Sequence, residues 1–336
     1  MKRILFVAIL LAGAGVALLI SAPKTKATAI CTQTGFFRDG INMTAAMINP
    51  PSVTGVVDAT GCNIGVYYGP GSSGQIKSAE IFGANYFGVV ANGDADDISL
   101  DILSSNIHDI GESPHTGAQH GFGIYWRAFF PAGGVTGRIV GNTVTAYQKG
   151  GMAMNGTGVQ ATISDNTVTG DGHVTYIAQN GIQIGYGASA SVMRNRVSGN
   201  SFIGSDGSSS AGVLVLGGAF FGTCPDGNDC AYTVNTKVND NILVNNDVGI
   251  WLFNAAADRS APQTATNIKA VNNTISDDLC FNTAYQAGIS DIGNSDKIIT
   301  NTISGPGYVG CLTAFNPSGA KVDADPTQGP KVHATK

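Results

Sequence analysis

Four of the five histidines of this chain lie in segments that connect short apolar runs, and Asp, Glu and Tyr accompany them there. Histidine exchanges protons near neutral pH, and a neighbouring carboxylate can orient its ring. With a cation to neutralise a sugar carboxylate, such groups could remove the C5 proton of a uronic acid in β-elimination or epimerisation. The candidate catalytic residues are therefore His108, His115, His120, His173, Lys149 and Arg127.

Aromatic and amide side chains in or beside the same segments could contact a sugar. The candidate substrate-binding residues are Tyr125, Trp126, Tyr147, Tyr176, Gln119 and Gln179. The alternative for all of these segments is structural, because Asp and Asn in connecting loops commonly form local turn hydrogen bonds. Two acidic runs, 94–97 and 226–229, offer oxygen ligands for calcium. Neither matches the twelve-residue calcium loop, so ordinary turns are favoured, and no compact ligand motif predicts another metal.

A repeat must position these residues. Its first unit is aliphatic-x-x-Asn-x-aliphatic, and the copies carry Asn142, Asn166, Asn195, Asn241, Asn273 and Asn301, with Ser105 in the same slot of an earlier copy. A second unit, Gly followed by aliphatic residues at alternate positions, falls between the copies of the first. Its copies begin at Gly88, Gly123, Gly151, Gly181, Gly212, Gly249 and Gly288.

This two-part cycle predicts an all-β fold, a single-stranded right-handed parallel β-helix (solenoid) of about nine coils. Each strand is too short to bury its own face, so it stacks on the strand one coil earlier. The aliphatic residues should line the interior. Asn should occupy a turn because it tolerates unusual backbone angles, and stacked Asn amides should hydrogen-bond along the axis. An antiparallel sandwich would need hairpin turns between neighbouring strands, not one repeated cycle.

These repeats resemble the parallel β-helix repeat of the pectin-lyase-like superfamily over about residues 50–315. The segments 119–125 and 179–183 also resemble secreted bacterial β-helix proteins of unassigned activity. The resemblance implies the fold and leaves function open, because the fold hosts lyases, hydrolases, epimerases, adhesins and binding proteins. The signature boxes of polygalacturonases and classical pectate lyases are absent. Pro114-His115 is similar to the Asp-Pro-His segment of alginate C5-epimerases, but Ser113 replaces the Asp.

The working face should be the side of the coil where the connections between the two units are long. We predict a groove bounded by the loops 108–122 and 170–180 and floored by the short connection 145–150. His120 and His173 would lie on opposite walls of this groove, about 10 Å apart along the axis.

The ends of the chain differ from its middle. Residues 1–29 have the basic, apolar and small-residue regions of a cleaved signal peptide, with an uncleaved membrane anchor as the alternative. Residues 30–50 should form an N-terminal cap, residues 51–315 the β-helix domain, and residues 316–336 a flexible C-terminal tail.

Charge and cysteine content restrict the possible partners. Without residues 1–29 the chain has 14 Lys and Arg against 23 Asp and Glu, a net charge of −9. Such a chain is a poor candidate for nucleic acid or for an anionic membrane surface. Six cysteines in an exported chain suggest disulfides. The expected pairs are Cys31–Cys62, Cys224–Cys230 and Cys280–Cys311.

The sequence therefore predicts a carbohydrate-directed protein that is secreted to the extracellular space or the periplasm, with a polysaccharide or other glycan as partner and a monomeric state. If it is an enzyme, a polysaccharide lyase or C5-epimerase acting on acidic glycans is expected rather than a glycoside hydrolase. The alternative is a non-catalytic binding or surface-structural β-helix. Convergence of His108, His120 and His173 with a basic residue in one groove would favour catalysis, and scattering would favour binding.

Overall fold

The computed structural model describes residues 29–282, 284–308 and 322–323, and these residues are all-β apart from one 3-10 turn at Ala219–Phe221. In chain order the strands are β1 (Thr32–Arg38), β2 (Ile41–Ile48), β3 (Ser52–Asp58), β4 (Ile64–Tyr68), β5 (Ser73–Phe82), β6 (Phe87–Asn92), β7 (Ile98–Leu103), β8 (Asn106–His108), β9 (Phe122–Arg127), β10 (Val135–Val140), β11 (Thr143–Thr145), β12 (Gly150–Asn155), β13 (Val159–Ser164), β14 (Thr167–Val174), β15 (Asn180–Gly185), β16 (Ser189–Met193), β17 (Arg196–Phe202), β18 (Ala211–Gly217), β19 (Lys237–Asn239), β20 (Ile242–Val244), β21 (Val248–Asn254), β22 (Lys269–Val271), β23 (Thr274–Ser276), β24 (Ala287–Asp291), β25 (Lys297–Ile299), β26 (Thr302–Ser304) and β27 (Val322–Asp323).

The strands form two long sheets. The 11-stranded sheet follows the order β1-β2-β4-β6-β9-β12-β15-β18-β21-β24-β27, and every pair after the antiparallel β1–β2 hairpin is parallel. The 16-stranded sheet contains the strands that carry the Asn repeat. Each strand pairs with its equivalent one cycle later, as Ile139 pairs with Ile163. This pairing confirms an all-β architecture with long parallel sheets. The right-handed twist and the count of about nine coils remain predictions.

The core lies between the two sheets. All eight residues predicted to point inward are buried, and they are Ile139, Val144, Ile163, Val168, Val192, Val197, Ile298 and Ile303. They belong to one cluster that runs the length of the described repeats. Burial of this apolar surface is the main term that stabilises the fold, at roughly 25 cal/mol per Å².

A buried ladder of asparagine amides joins successive coils. The Oδ1 atom of Asn166 accepts hydrogen bonds from the backbone N–H and the Nδ2 of Asn142, and Asn195 accepts the same two bonds from Asn166. The ladder continues through Asn241 and Asn273 to Asn301. The predicted amide ladder is therefore confirmed.

The predicted backbone role of the Asn is wrong. The residue before each ladder position takes the left-handed conformation, as at Asp165 (φ 60°) and Arg194 (φ 54°). The Asn itself is selected because its side chain can accept and donate at once inside the core.

The glycine of the second repeat marks the closest approach of the two sheets. A Cβ at Gly151 would lie 2.4 Å from Cγ1 of Val168 in the opposite sheet and 2.6 Å from the carbonyl oxygen of Gly181 in the next coil. A Cβ at Gly181 would meet Val197 in the same way, at 2.3 Å. Only glycine fits there, and this requirement explains why the second repeat begins with it.

The ends of the coil carry additional strands. In the segment predicted as a cap, β1 and β2 form a hairpin at one end of the 11-stranded sheet. Within the predicted tail 316–336, residues 322–323 form β27 and pair with β24. The rest of that tail and residues 1–28 of the predicted signal lie outside the described residues. No helix in the part of the chain that is described is long and apolar enough to cross a membrane.

Two of the three expected disulfides are confirmed, Cys31–Cys62 and Cys224–Cys230. Cys280 is also disulfide-bonded. The expected partner of Cys280 is Cys311, which lies outside the described residues.

The ladder can be tested at Asn241. Replacing Asn241 with Ala leaves the N–H of Asn195 and the carbonyl of Val192 without their partners inside the core. We expect this to lower the free energy of unfolding by roughly 2–4 kcal/mol. Asn241→Ser should cost less, because Ser105 already fills a ladder position. Thermal and urea denaturation would measure both variants. Asn106→Ala, at an exposed strand position, is the matched control, and equal stability of Asn241→Ala and this control would contradict the role of the ladder.

Candidate functional site

The long connections predicted to form a groove lie at one edge of the 11-stranded sheet, because each of them leads into a strand of that sheet. The loop 109–121 precedes β9 and the loop 175–179 precedes β15. The predicted wall segments 108–122 and 170–180 contact each other directly through His115 and Asp171 of β14, which are joined by a 2.8 Å hydrogen bond. The two predicted walls therefore touch each other at this point and do not stand apart.

The contact between the loops is a polar cluster of His115, Asp171 and Tyr176. Nδ1 of His115 donates to Oδ2 of Asp171 at 2.8 Å, and the Tyr176 hydroxyl donates to the same oxygen at 2.5 Å. Burial acts to raise the pKa of Asp171, but the hydrogen bonds from His115, Tyr176 and Gln179 outweigh it and leave this pKa below its usual value. Burial and the Asp171 charge raise the pKa of Tyr176. An Asp-oriented histidine is the arrangement that general-base chemistry needs.

Buried side chains clamp the long loops to the coil. Gln148 accepts hydrogen bonds from the backbone N–H groups of Glu112 and Thr116 and donates to the carbonyl of Ala118. Gln179, which was expected to bind substrate, accepts from the N–H of Asp171 and donates to the carbonyl of Tyr147. Gln179 is fully buried, so its role is to hold a loop and not to meet a ligand.

Buried side chains also hold the loop backbone by hydrogen bonds in the later coils. Gln286 accepts from the N–H groups of Phe281 and Asn282. Asp247 accepts from Phe202 and Ser210, and although these bonds oppose the effect, burial raises the pKa of Asp247 to about 6.

The four candidate histidines make separate contacts. His108 bonds to Glu80 and Asp109, and its ring stacks on Phe82. His120 stacks on Tyr86 at 3.8 Å with Glu112 near its Nε2, and burial lowers its pKa.

His173 lies in a third environment. Its Nδ1 lies 2.8 Å from the hydroxyl of Ser201, and its ring contacts Phe281. Among the four, only His115 joins the two loops. His108, His120 and His173 contact three different sets of residues, which is the scattered arrangement that favours binding over catalysis.

Lys149 lies beside the His115 cluster. Its Nζ donates to the carbonyl of Ala178 at 2.9 Å, and the side chain is half-buried. Burial lowers the pKa of Lys149 to about 8, although Asp206 acts in the opposite direction. Lys149 thus contacts the loop 175–179, and this hydrogen bond ties its ammonium group to the protein.

Several other candidates are buried in contacts of their own. Trp126 and Tyr147, which were expected to bind substrate, are fully buried core residues and offer no surface to a ligand. Tyr125 is buried in a hydrophobic cluster that also contains Phe36 of the β1–β2 hairpin. Arg127 pairs with Asp94 at 2.5 Å and lies over the rings of Phe36 and Phe129. None of these three partners belongs to the loops that carry the histidines.

The remaining candidates are placed as follows. Gln119 is exposed, and its carbonyl accepts a hydrogen bond from Arg38 at 3.5 Å. In the acidic runs considered for calcium, Asp94 binds Arg127 and the N–H of Phe129, while Asp226 binds Asn228 within its own turn. Among the described residues no group of three His, Cys, Asp or Glu side chains could hold a metal ion.

A row of aromatic rings that the sequence analysis missed crosses the outer face of the 11-stranded sheet. Trp251 and Phe253 of β21 stack with their centroids 5.0 Å apart and their planes 3° from parallel. Tyr285 extends the row on one side at 5.6 Å from Trp251, and Phe220 and Phe221 extend it on the other. Four of these rings are partly exposed, and Tyr285 is buried. We call these five residues the aromatic row.

Amide side chains lie on the same outer face in the preceding coils. Gln183 of β15 donates to Asn155 of β12 at 3.0 Å, and Oδ1 of Asn180 accepts from the N–H of Ala211. A signal for this face was present in the sequence. Within the second repeat, the residue between two inward aliphatic positions points outward, and five successive copies hold Tyr125, Ala153, Gln183, Leu214 and Trp251 at that position.

Comparisons with known proteins give one structural likeness. No family model matches the chain, and no curated protein matches it either. The chain is similar to the crystal structure of Dettilon tailspike protein (gp208), with 16% identity and a TM-score of 0.39. The likeness covers 81% of this chain and 56% of that chain, so this chain spans about half the length of the tailspike.

The burial of Lys149 has a consequence for stability. Its pKa is about 8 in the folded chain against an ordinary value of 10.5, so the unfolded chain binds more protons between these two values. Stability should therefore rise with pH across that range, and Lys149→Met should remove this rise. Melting temperatures of both proteins across the range would measure it. Lys77→Met, at an exposed lysine, is the control and should keep the wild-type slope; parallel profiles for all three proteins would contradict the burial of the ammonium group.

Proposed function

We propose that the protein is a carbohydrate-binding, right-handed parallel β-helix of the pectin-lyase-like type, and that its ligand lies on the outer face of the 11-stranded sheet. The observation that carries this proposal is the aromatic row, in which Trp251 and Phe253 present parallel, partly exposed rings. Flat aromatic rings suit the apolar C–H faces of sugars, and small-molecule sites combine such surfaces with a few oriented polar groups.

Amide side chains stand on the same outer face in the neighbouring coils. Asn155, Asn180 and Gln183 are buried there and hydrogen-bonded within the face, so they support the sheet and do not meet a ligand directly. The part of the proposed site that a glycan would contact is therefore the partly exposed rings of the aromatic row.

Binding without catalysis is favoured over a lyase or epimerase reaction that uses all four histidines. Those histidines have separate partners, and the loops proposed to flank an acidic sugar contact each other through His115 and Asp171. Secretion, or export to the periplasm, is part of the proposal. The disulfides support it, because disulfides persist in oxidising compartments. We further propose a cleaved signal peptide and a monomeric state.

Trp251 provides both a test and a probe. The chain has two tryptophans, and Trp126 is fully buried, so a ligand on the outer face should change the emission of Trp251. A glycan array would select ligands for titration. Trp251→Ala should reduce affinity at least about tenfold, the loss expected for an aromatic residue at the centre of a binding site. Phe37→Ala, at a ring that is 63% exposed on the cap, should leave affinity unchanged. Equal binding by wild type and Trp251→Ala would disprove a site at the aromatic row.

A second candidate function is proton transfer on an acidic sugar at the His115 cluster. The observation that favours it is the Asp171–His115 pair with a lysine of lowered pKa nearby. In this candidate His115 acts as the base for the C5 proton and Lys149 faces the carboxylate. Elimination would move the C5 proton to His115, form a C4–C5 double bond and break the bond between C4 and the leaving oxygen, which would take a proton from solvent.

The ultraviolet absorbance of unsaturated uronate tests this candidate. Wild-type protein should release absorbing product from an acidic polysaccharide, and His115→Gln should lower the rate at least about a hundredfold, as expected for the loss of a general base. His108→Gln is the matched control, because that histidine has separate partners. Absence of product with the wild-type protein across a panel of polyuronates would leave binding as the function.

A further inference from the structure

Three lysines stand in register on the outer face of the 16-stranded sheet. Lys237 of β19 pairs with Lys269 of β22, which pairs with Lys297 of β25. Each lysine has a polar neighbour two residues earlier, and the six side chains line a shallow groove of about 390 Å³: Asn235, Lys237, Asn267, Lys269, Ser295 and Lys297. We call this feature the lysine stripe. It holds three of the five lysines between residues 29 and 308 of a chain that is acidic overall.

The charges of the lysine stripe are not compensated within the described residues. The arginine ion pairs found there join Arg38, Arg127, Arg138 and Arg194 to aspartates, and none of the three lysines lies within 4.0 Å of a carboxylate. Arg138 of β10 provides a comparison, because it lies in the same column of the sheet as the three lysines. This column is the set of residues that pair in register on successive strands, and it runs from Lys237 through Ser191 and Thr162 to Arg138. In that position it pairs with Asp101 of the preceding coil at 2.6 Å. Charges elsewhere in this column are therefore neutralised, whereas those of the stripe are not.

Stacked like charges destabilise a sheet. Equivalent positions on paired strands lie about 4.8 Å apart, and like charges directly opposite each other oppose pairing. The stripe places two such contacts in succession, at Lys237–Lys269 and at Lys269–Lys297. A repeating anion laid along the axis would reverse the sign of this interaction.

We propose that the lysine stripe binds an acidic polysaccharide that lies along the helix axis, with its carboxylate or sulfate groups facing the ammonium groups. Each coil offers one ammonium together with one amide or hydroxyl, which suits a repeating unit with one anion and several hydroxyl groups. Lysines act here as point charges that reach anions through flexible stems. The groove holds no aromatic ring on which a nucleic acid base could stack and no guanidinium for bidentate phosphate contact.

The lysine stripe is independent of the proposed glycan site at the aromatic row. The stripe lies on the 16-stranded sheet and the aromatic row on the 11-stranded sheet, so the hydrophobic core separates them. Trp251→Ala should therefore retain binding of polyanions. This variant distinguishes failure at one site from failure at the other.

The experiment measures affinity of the full chain for polygalacturonate at low and high salt, with neutral dextran, dextran sulfate and a DNA duplex as the other arms. Lys237→Gln, Lys269→Gln and Lys297→Gln should each weaken binding to polygalacturonate by about fivefold, as for a lysine at an anionic surface. Added salt should weaken the wild type most, because exposed charges are screened. Lys77→Gln, at an exposed lysine on β5 of the same sheet, is the matched control and should bind as the wild type does.

Thermal denaturation gives a second readout. Lys269→Gln removes both like-charge contacts of the stripe, so its melting temperature should equal or exceed that of the wild type while its affinity falls. Three outcomes would overturn the proposal: equal binding of neutral dextran, an equal loss in Lys77→Gln, or tighter binding of the DNA duplex than of either acidic polysaccharide. Absence of binding to polygalacturonate and dextran sulfate at low salt would overturn it as well.

Discussion

The buried asparagine ladder is the interaction on which the coil depends. Each amide accepts a hydrogen bond from the Asn before it and donates one to the Asn after it. A coil with a longer or shorter turn at this position would therefore leave polar groups unsatisfied in the core. The strands on either side of the ladder are therefore constrained in length and register. Length variation is confined to the connections that lead into and out of the 11-stranded sheet.

Those connections are themselves held to the coil. Gln148, Gln179, Asp247 and Gln286 each use a buried side chain to fix the backbone of a long loop. Clamped loops lie close to the coil and to one another, as the His115–Asp171 bond shows. The two loops expected to flank a groove consequently touch each other, and the aromatic row and the lysine stripe lie apart from them, on the sheet faces.

The pairing of cations differs between the lysine stripe and the arginines of the coil. Four of the six arginines in the described residues pair with an aspartate, as Arg194 does with Asp165, and Arg259 lies over the ring of Phe220. Such pairs contribute little to stability at an exposed site, but they keep like charges from stacking along the axis. The lysine stripe departs from this arrangement, and a repeat fold makes the departure visible because every coil offers an equivalent position.

The sequence by itself determined the parallel coil, its inward aliphatic positions, the amide ladder and the pairs Cys31–Cys62 and Cys224–Cys230, because these features follow from local spacing repeated many times. It did not determine where the long loops lie. His108, His115, His120 and His173 occupy similar connections in the sequence, but clamping side chains direct each of them to different partners. Trp126 and Trp251 occupy adjacent positions of the same repeat unit, so one is buried and the other is partly exposed. Only the tertiary structure decided this, because a one-residue shift moves a side chain to the opposite face of a strand.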